Sequence, residues 1–147
     1  MYYRSLKLIP LLLVFLLFAT ACGDSSRITV DDLPQFSLNE KLPGESPLAD
    51  GMVAALQETV RQQGLTAEAK IYAVPTDTTF DVVKSFYTRE LGSVWLEDPQ
   101  LANDQEGFQT SGWRLGGPSG EESVVVTLVS DPLAGEKILI VVLFLGQ

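Results

Sequence analysis

The chain has 147 residues, and its 10 Lys and Arg against 19 Asp and Glu give a net charge of −9. An acidic chain repels nucleic acid and anionic lipid, so the charge argues against both as electrostatic partners. Histidine is absent and there is a single cysteine, which excludes Ser–His or Cys–His catalysis, an internal disulfide and a zinc cluster. With 46% hydrophobic residues, the chain can form the core of one domain.

The first 21 residues have the pattern of a secretory signal peptide. Two basic residues, Arg4 and Lys7, precede an uncharged apolar run over residues 8–19, and small residues follow up to Ala21. The run is shorter than the ~20 apolar residues that a membrane-spanning helix needs. We therefore expect cleavage of the chain between Ala21 and Cys22.

The residues around this bond resemble the lipobox of bacterial lipoproteins. In that family a Leu-Ala-Gly/Ala-Cys motif ends the leader, the cysteine thiol receives diacylglycerol, and the leader is removed just before the cysteine. Here Ala19, Thr20, Ala21 and Cys22 occupy the four positions, with Ala19 where Leu or Val is usual. The resemblance implies lipidation of Cys22 and a protein held on the extracytoplasmic face of the cell membrane or the outer membrane.

Two other outcomes remain open for the leader. Ala19-Thr20-Ala21 also fits an A-x-A site of the general signal peptidase, which would cut the same bond. The protein would then be secreted without lipid and would begin with a free Cys22 thiol. An uncleaved anchor is the third outcome, and it needs a longer apolar run than the leader has.

Residues 22–45 are predicted to be the lipidated N-terminus and a flexible tether. The segment contains two prolines, several acidic residues and no sustained period of 2 or 3.6. Leu33, Phe36 and Leu38 are apolar, so part of the segment can lie along the domain. A single domain over residues 46–147 is expected to follow.

Two helices are expected in this domain. The first, over residues 47–63, begins after a Ser46 or Asp50 cap and carries apolar side chains at helical spacing. The second, over residues 79–91, has one apolar stripe, and Phe86 beside that stripe is expected to be buried against the sheet. The stripe consists of Phe80, Val83, Tyr87 and Leu91.

Strand patterns fill the remainder of the domain. They lie at residues 68–74, 94–97, 107–115, 123–129 and 137–145. The last segment is apolar on both faces, as in a central strand, so we expect it to pair on both edges. The order of elements predicts an α+β domain, with two helices packed on a mainly antiparallel sheet of about five strands.

Part of the predicted domain is similar to small bacterial envelope lipoproteins of unknown activity. Those proteins have a strand, a TPFDEVVAFY-type helix, a Gly-Trp pair and a C-terminal hairpin. The matching residues here are the stretch AVPTDTTFDVVKSFY at 73–87 and the pair Gly112-Trp113. The resemblance covers roughly half of the chain and implies the fold, but it brings no activity and no site residue.

Motifs for nucleophilic catalysis and phosphate binding are missing from the sequence. It contains no G-x-S-x-G, S-x-x-K, GxGxxG or Walker-type pattern. Gly116-Gly117 beside Arg114 is a candidate anion-binding nest. Strand patterns flank the two glycines, however, so a hairpin turn is the expected structure.

An acidic segment over residues 97–106 is the next candidate site. Glu97, Asp98, Asp104 and Glu106 lie within it, and Ca²⁺ prefers clustered oxygens. The EF-hand order of ligands is absent, so a solvated, mobile loop is expected instead. Asp98 and Asp104 would be the working carboxylates if the domain were an envelope enzyme.

Two further groups of side chains are candidate sites. The adjacent pairs Asp31-Asp32 and Glu121-Glu122 lie in predicted loop or turn, where acids are usually solvated. An aromatic groove for sugar or peptide is the other alternative, although helix and strand periodicity explains most of its members as core. These aromatic residues are Tyr72, Phe86, Tyr87, Trp95, Phe108 and Trp113.

The sequence therefore predicts a lipid-anchored extracytoplasmic protein that is not an enzyme and has no cofactor or metal. Its domain is expected to bind another envelope protein or a small ligand. The alternatives are an envelope enzyme that uses carboxylates and a secreted protein without lipid.

Overall fold

The structure is a computed structural model that describes residues 27–146. The predicted leader and Cys22 lie outside the described residues. The helices are α1 (Pro47–Gln62) and α2 (Phe80–Glu90). The strands are β1 (Leu65–Val74), β2 (Trp95–Glu97), β3 (Asn103–Gln105), β4 (Phe108–Leu115), β5 (Ser123–Asp131) and β6 (Glu136–Gly146).

All six strands belong to one sheet in which every pairing is antiparallel. The order is β1-β6-β5-β4, and β2 and β3 lie one after the other along the outer edge of β4. The predicted α+β domain, with two helices on a mainly antiparallel sheet, is therefore confirmed. The sheet has six strands where about five were expected.

Strand β6 is an interior strand of the sheet that pairs on both edges, as its apolar sequence predicts. It pairs with β1 from Lys137 to Gly146 and with β5 from Glu136 to Phe144. Every residue from Ile138 to Leu143 is buried. A strand with both faces covered needs apolar side chains at odd and even positions alike, which is why the alternation disappears here.

The two helices cover opposite faces of the sheet. Tyr72, Val141 and Val126 point to one face, where α2 and the N-terminal residues pack on them. Ile71 and Ile140 point to the other face, which α1 covers. Because side chains alternate along a strand, adjacent residues of β1 and β6 contribute to two separate apolar cores.

Helix α2 buries the centre of its predicted stripe but leaves Phe86, like Phe80 of the stripe, only half-buried. Val83 and Tyr87 are fully buried against the sheet, whereas Phe86 is half-buried. The Phe86 ring lies edge-on to Tyr87 and to Phe36, with ring centroids 5.2 and 5.3 Å apart. The prediction that Phe86 is buried against the sheet is therefore wrong, because its position beside the stripe faces the N-terminal segment.

Residues 28–41 form a strap that lies against the domain. Leu33 is buried in the α2-side core, and Phe36 contacts α2. Backbone hydrogen bonds tie the strap to the outer edge of β1: the Lys41 N–H donates to the Ile71 carbonyl, and Asn39 accepts from the Ala73 N–H, each at 2.8 Å.

An ion-pair network fixes the strap at a second point. Lys70 Nζ lies 2.6 Å from Asp31 and 3.0 Å from Glu40. Hydrogen bonds to these carboxylates, that of Asp31 first, raise the pKa of Lys70. The part of the predicted flexible tether within residues 28–41 is thus docked, because isolated apolar anchors and edge-strand hydrogen bonds hold it without any sequence period.

Gly112 in β4 allows a close approach between two segments. A Cβ atom at this position would lie 2.6 Å from Leu101 Cβ, on the short 3-10 helix Pro99–Leu101. Only glycine lets Leu101 cover the strand at that distance. The glycine of the Gly112-Trp113 pair therefore serves packing on one face of the sheet, and Trp113 serves packing on the other.

Candidate functional site

The acidic segment over residues 97–106 is the first candidate site, and its most buried member is Asp98. This residue caps the 3-10 helix, since its carboxylate accepts a hydrogen bond of 2.9 Å from the Gln100 N–H. The other oxygen of the carboxylate accepts a hydrogen bond of 2.5 Å from Nε of Arg114, which lies on β4. The signal for this cap was present in the sequence as Asp98-Pro99, a typical start of a helix.

The surroundings of Asp98 favour its charged form. The Arg114 guanidinium, and then the Gln100 N–H, hold the pKa of this carboxyl below its usual range. A general acid needs the opposite shift, a raised pKa that keeps the proton at neutral pH. Asp98 is therefore placed to join the 3-10 helix to β4 rather than to transfer protons.

The other carboxylates of the segment have partners of their own. Glu97 forms an ion pair of 2.6 Å with Lys84 on α2, and Asp104 accepts from the Gln109 side chain at 2.9 Å. Gln109 and Arg114 are five residues apart on β4, which separates them by about 16 Å and places them on opposite faces. Asp98 and Asp104 therefore do not converge on one site.

The predicted mobile loop is in fact structured. It contains the 3-10 helix and strand β3, which pairs with β4 from Asn103 to Gln105. In the part of the chain that the structure describes, no three His, Cys, Asp or Glu side chains are grouped so as to hold a metal ion.

The Gly116-Gly117 pair forms part of the turn between β4 and β5. Both glycines have positive φ angles of 73° and 96°, a conformation that side chains disfavour. Their N–H groups donate to the carbonyls of Val94 and Arg114. An anion-binding nest needs free N–H groups. Because those of Gly116 and Gly117 are already bonded, the two glycines do not form such a nest.

The two adjacent acidic pairs are separated by their contacts. Asp32 accepts hydrogen bonds from the backbone and side chain of Thr29, which lower its pKa. Asp31 instead pairs with Lys70. Glu121 lies next to Gly146, where a Cβ atom would come within 2.9 Å of its carboxylate. None of these contacts brings two carboxylates together on one site.

The aromatic residues do not form a groove at Tyr72. This side chain is 3% exposed and belongs to the core beneath the strap, together with Tyr87 and Trp113. Burial raises the pKa of both tyrosines, so they are neutral phenols at physiological pH. The interpretation of Tyr72 as part of an open binding groove is therefore wrong.

A shallow depression lies between the strap and α2, with a volume of about 370 Å³. Phe36 and Phe86 form its apolar wall, and Asp81 and Arg89 lie at its rim. Arg89 already pairs with Glu90 and lies over the Phe86 ring, 5.8 Å from its centroid. The depression thus offers an apolar contact surface of Phe36, Val82 and Phe86 beside three polar side chains, those of Asp81, Ser85 and Arg89.

Comparisons with known proteins do not add a function. No protein-family model, no curated protein and no solved structure matches this chain. Neither α1 nor α2, the α-helices of residues 27–146, is both long and apolar enough to cross a membrane.

Replacement of Asp98 by asparagine is expected to change the acid stability of the domain. Because the pKa of Asp98 is lowered by folding, its carboxylate stabilises the fold above about pH 4, and this contribution is lost as the pH falls through the folded-state value. The variant should melt at a lower temperature than the parent at pH 7, and the difference should shrink toward pH 3.

Thermal unfolding at several pH values measures this difference. Asp104→Asn is the matched control, since Asp104 is exposed and bonded only to Gln109 in the described residues; it should change little at any pH. A gap between parent and Asp98→Asn that is the same at pH 7 and pH 3 would show that ionisation of Asp98 does not stabilise the fold.

Proposed function

We propose that the protein is a bacterial lipoprotein whose domain is held on the extracytoplasmic face of a membrane by lipid on Cys22. The domain binds another envelope component and catalyses no reaction. The observation that carries this proposal is the position of the chain's only cysteine, directly after Ala19-Thr20-Ala21 at the end of an apolar leader.

The sequence leaves the Cys22 thiol without a disulfide partner. No second cysteine is present in the chain, so Cys22 cannot form a disulfide within it. Its thiol is therefore available for diacylglycerol.

The physics of anchoring favours lipid over electrostatic attachment. Residues after the leader carry 8 Lys and Arg against 19 Asp and Glu, so anionic headgroups repel the domain. Each buried methylene contributes about 0.8 kcal/mol, and two acyl chains give stable attachment where one does not. A diacylglycerol on Cys22, with a further chain on the new amino terminus in some hosts, supplies the attachment.

The contacts of the carboxylates weigh against the enzyme alternative. Asp98 is held by Arg114 and Gln100, whereas Asp104 bonds to Gln109, which lies about 16 Å from Arg114 along β4 and on the other face. A pair of working carboxylates needs a shared cleft and one raised pKa. A binding domain requires neither, and the depression between the strap and α2 is one surface through which it could make contact.

Replacement of Cys22 by serine tests the proposal. The full chain is expressed in a bacterium. Detergent phase partitioning then separates membrane-anchored proteins from soluble proteins. The parent should enter the detergent phase and Cys22→Ser should lose this behaviour, because serine lacks the thiol that receives the lipid. The melting temperature of the soluble domain should stay unchanged.

Ser26→Ala serves as the matched control, because it changes a neighbouring residue and keeps Cys22. It should partition like the parent. A Cys22→Ser variant that still enters the detergent phase would mean that something other than this thiol holds the protein to the membrane.

A further inference from the structure

The domain has two distinct ends, and the N-terminus leaves from one of them. The Gly146 end is where β6 finishes and β1 begins, since Gly146 pairs with Leu65. Arg27 donates from its guanidinium to the Gly146 carbonyl at 3.3 Å. The opposite Glu136 end is where β6 begins and β5 finishes. Cys22 is therefore connected to the domain at the Gly146 end.

The connection is short compared with the domain. Whatever their conformation, the five Cα–Cα steps from Cys22 to Arg27 span at most about 18 Å. Strand β6, with 11 residues, is about 34 Å long. A lipid on Cys22 thus keeps the Gly146 end close to the bilayer, and the domain cannot invert to place the Glu136 end on the headgroups.

The charges of the described residues are divided unequally between the two ends. Eight carboxylates and two lysines lie in the segments at the Glu136 end, which are residues 41–50, 75–81, 104–107 and 131–137. The Gly146 end carries three arginines and four glutamates, counted over Arg27 and residues 58–65, 89–94 and 116–122.

This division decides between an upright and a flat domain. An anionic bilayer attracts basic and repels acidic segments within about one Debye length of its surface. A flat domain would bring the eight carboxylates of the Glu136 end into that layer. An upright domain brings only the Gly146 end into that layer, and the positive and negative charges of this end nearly cancel.

We propose that the anchored domain stands on an anionic bilayer with its Gly146 end toward the lipid and its Glu136 end directed away. This inference rests on the lipid anchor proposed above. The surface facing the headgroups is the β4–β5 turn together with the α1–β1 turn. The rival arrangement is a flat domain whose β5–β6 turn inserts Leu133 into lipid, because this side chain is 98% exposed.

Energy transfer to labelled lipid measures the orientation directly. No cysteine follows Cys22 in the sequence, and Cys22 itself is blocked in the lipidated protein, so a single introduced cysteine takes a fluorescent donor specifically. Ser119→Cys labels the β4–β5 turn at the Gly146 end. Ala134→Cys is the matched position, an exposed turn residue at the Glu136 end.

Both lipidated variants are reconstituted in vesicles of phosphatidylethanolamine and phosphatidylglycerol that contain an acceptor-labelled lipid. We expect clear transfer from position 119 and transfer near background from position 134. In vesicles of phosphatidylcholine alone the difference should become smaller, because the charge repulsion is removed. Equal transfer from the two positions in anionic vesicles, or stronger transfer from position 134, would overturn the proposed orientation.

The lipid on Cys22 is checked in the same samples by mass spectrometry. A protein without lipid there contradicts the anchor and not the orientation, so the two failures are distinguishable.

Discussion

Replacement of Trp113 by alanine is expected to lower the free energy of unfolding by about 3–5 kcal/mol. Trp113 lies on β4 and is 1% exposed, and its ring centroid is 6.2 Å from that of Tyr87 on α2. It fills the space between the sheet and the helix. Truncation leaves a cavity whose lining cannot collapse, because sheet and helix are fixed by their other contacts.

The polar atom of Trp113 gives this prediction a matched control. Its indole Nε1 is buried without a hydrogen-bond partner in the described residues, so its removal breaks no bond. Trp113→Phe keeps an aromatic ring and should cost clearly less than Trp113→Ala. Urea unfolding followed by circular dichroism compares the two. An alanine variant within about 1 kcal/mol of the parent would contradict a core position for this residue.

Replacement of Leu33 by alanine is expected to cost about 2–5 kcal/mol, although the sequence places this residue in a tether. Leu33 is 5% exposed and packs in the α2-side core. Leu38, five residues later in the same strap, is 90% exposed. Leu38→Ala should therefore change stability by no more than about 0.5 kcal/mol.

The pair of variants separates a docked strap from a free tether. Both are measured by urea unfolding of the chain from Cys22 onward. If Leu33→Ala and Leu38→Ala are equally neutral, the strap does not contribute to the fold and the N-terminal segment is a tether after all.

The long regular elements were predictable because their sequences repeat a period. The helix expected at residues 47–63 is Pro47–Gln62, and the one expected at residues 79–91 is Phe80–Glu90. The apolar segment at 137–145 lies in the interior strand β6, which pairs on both edges. In each case many apolar residues contribute to the buried surface, so the pattern remains recognisable even where one residue departs from it.

Strand β3 was missed and the docked strap was predicted only in part, because partners, rather than patterns, define both. β3 consists of Asn103, Asp104 and Gln105, all exposed, and is a strand only because β4 pairs with it. The strap contacts the domain through Leu33 and Phe36 and through backbone groups. Neither feature has a period that a sequence can display.

The Asp98–Arg114 contact could not be predicted for a related reason. The two residues are 16 apart in the sequence and meet because β2 pairs with β4 in a register that places Leu96 opposite Arg114. Only the register reveals that Asp98 has a cationic partner. A carboxylate that looked available for chemistry in the sequence is therefore engaged in the fold.

Attachment of lipid to Cys22 is the claim on which the proposed function and orientation depend. The protein is purified from bacterial membranes and digested with trypsin, which cuts after Arg27. Mass spectrometry of the N-terminal peptide Cys22-Gly-Asp-Ser-Ser-Arg27 should then show a diacylglycerol on the cysteine. A peptide that begins with an unmodified Cys22 would contradict the anchor, and Ala19-Thr20-Ala21 would then be a site of the general signal peptidase.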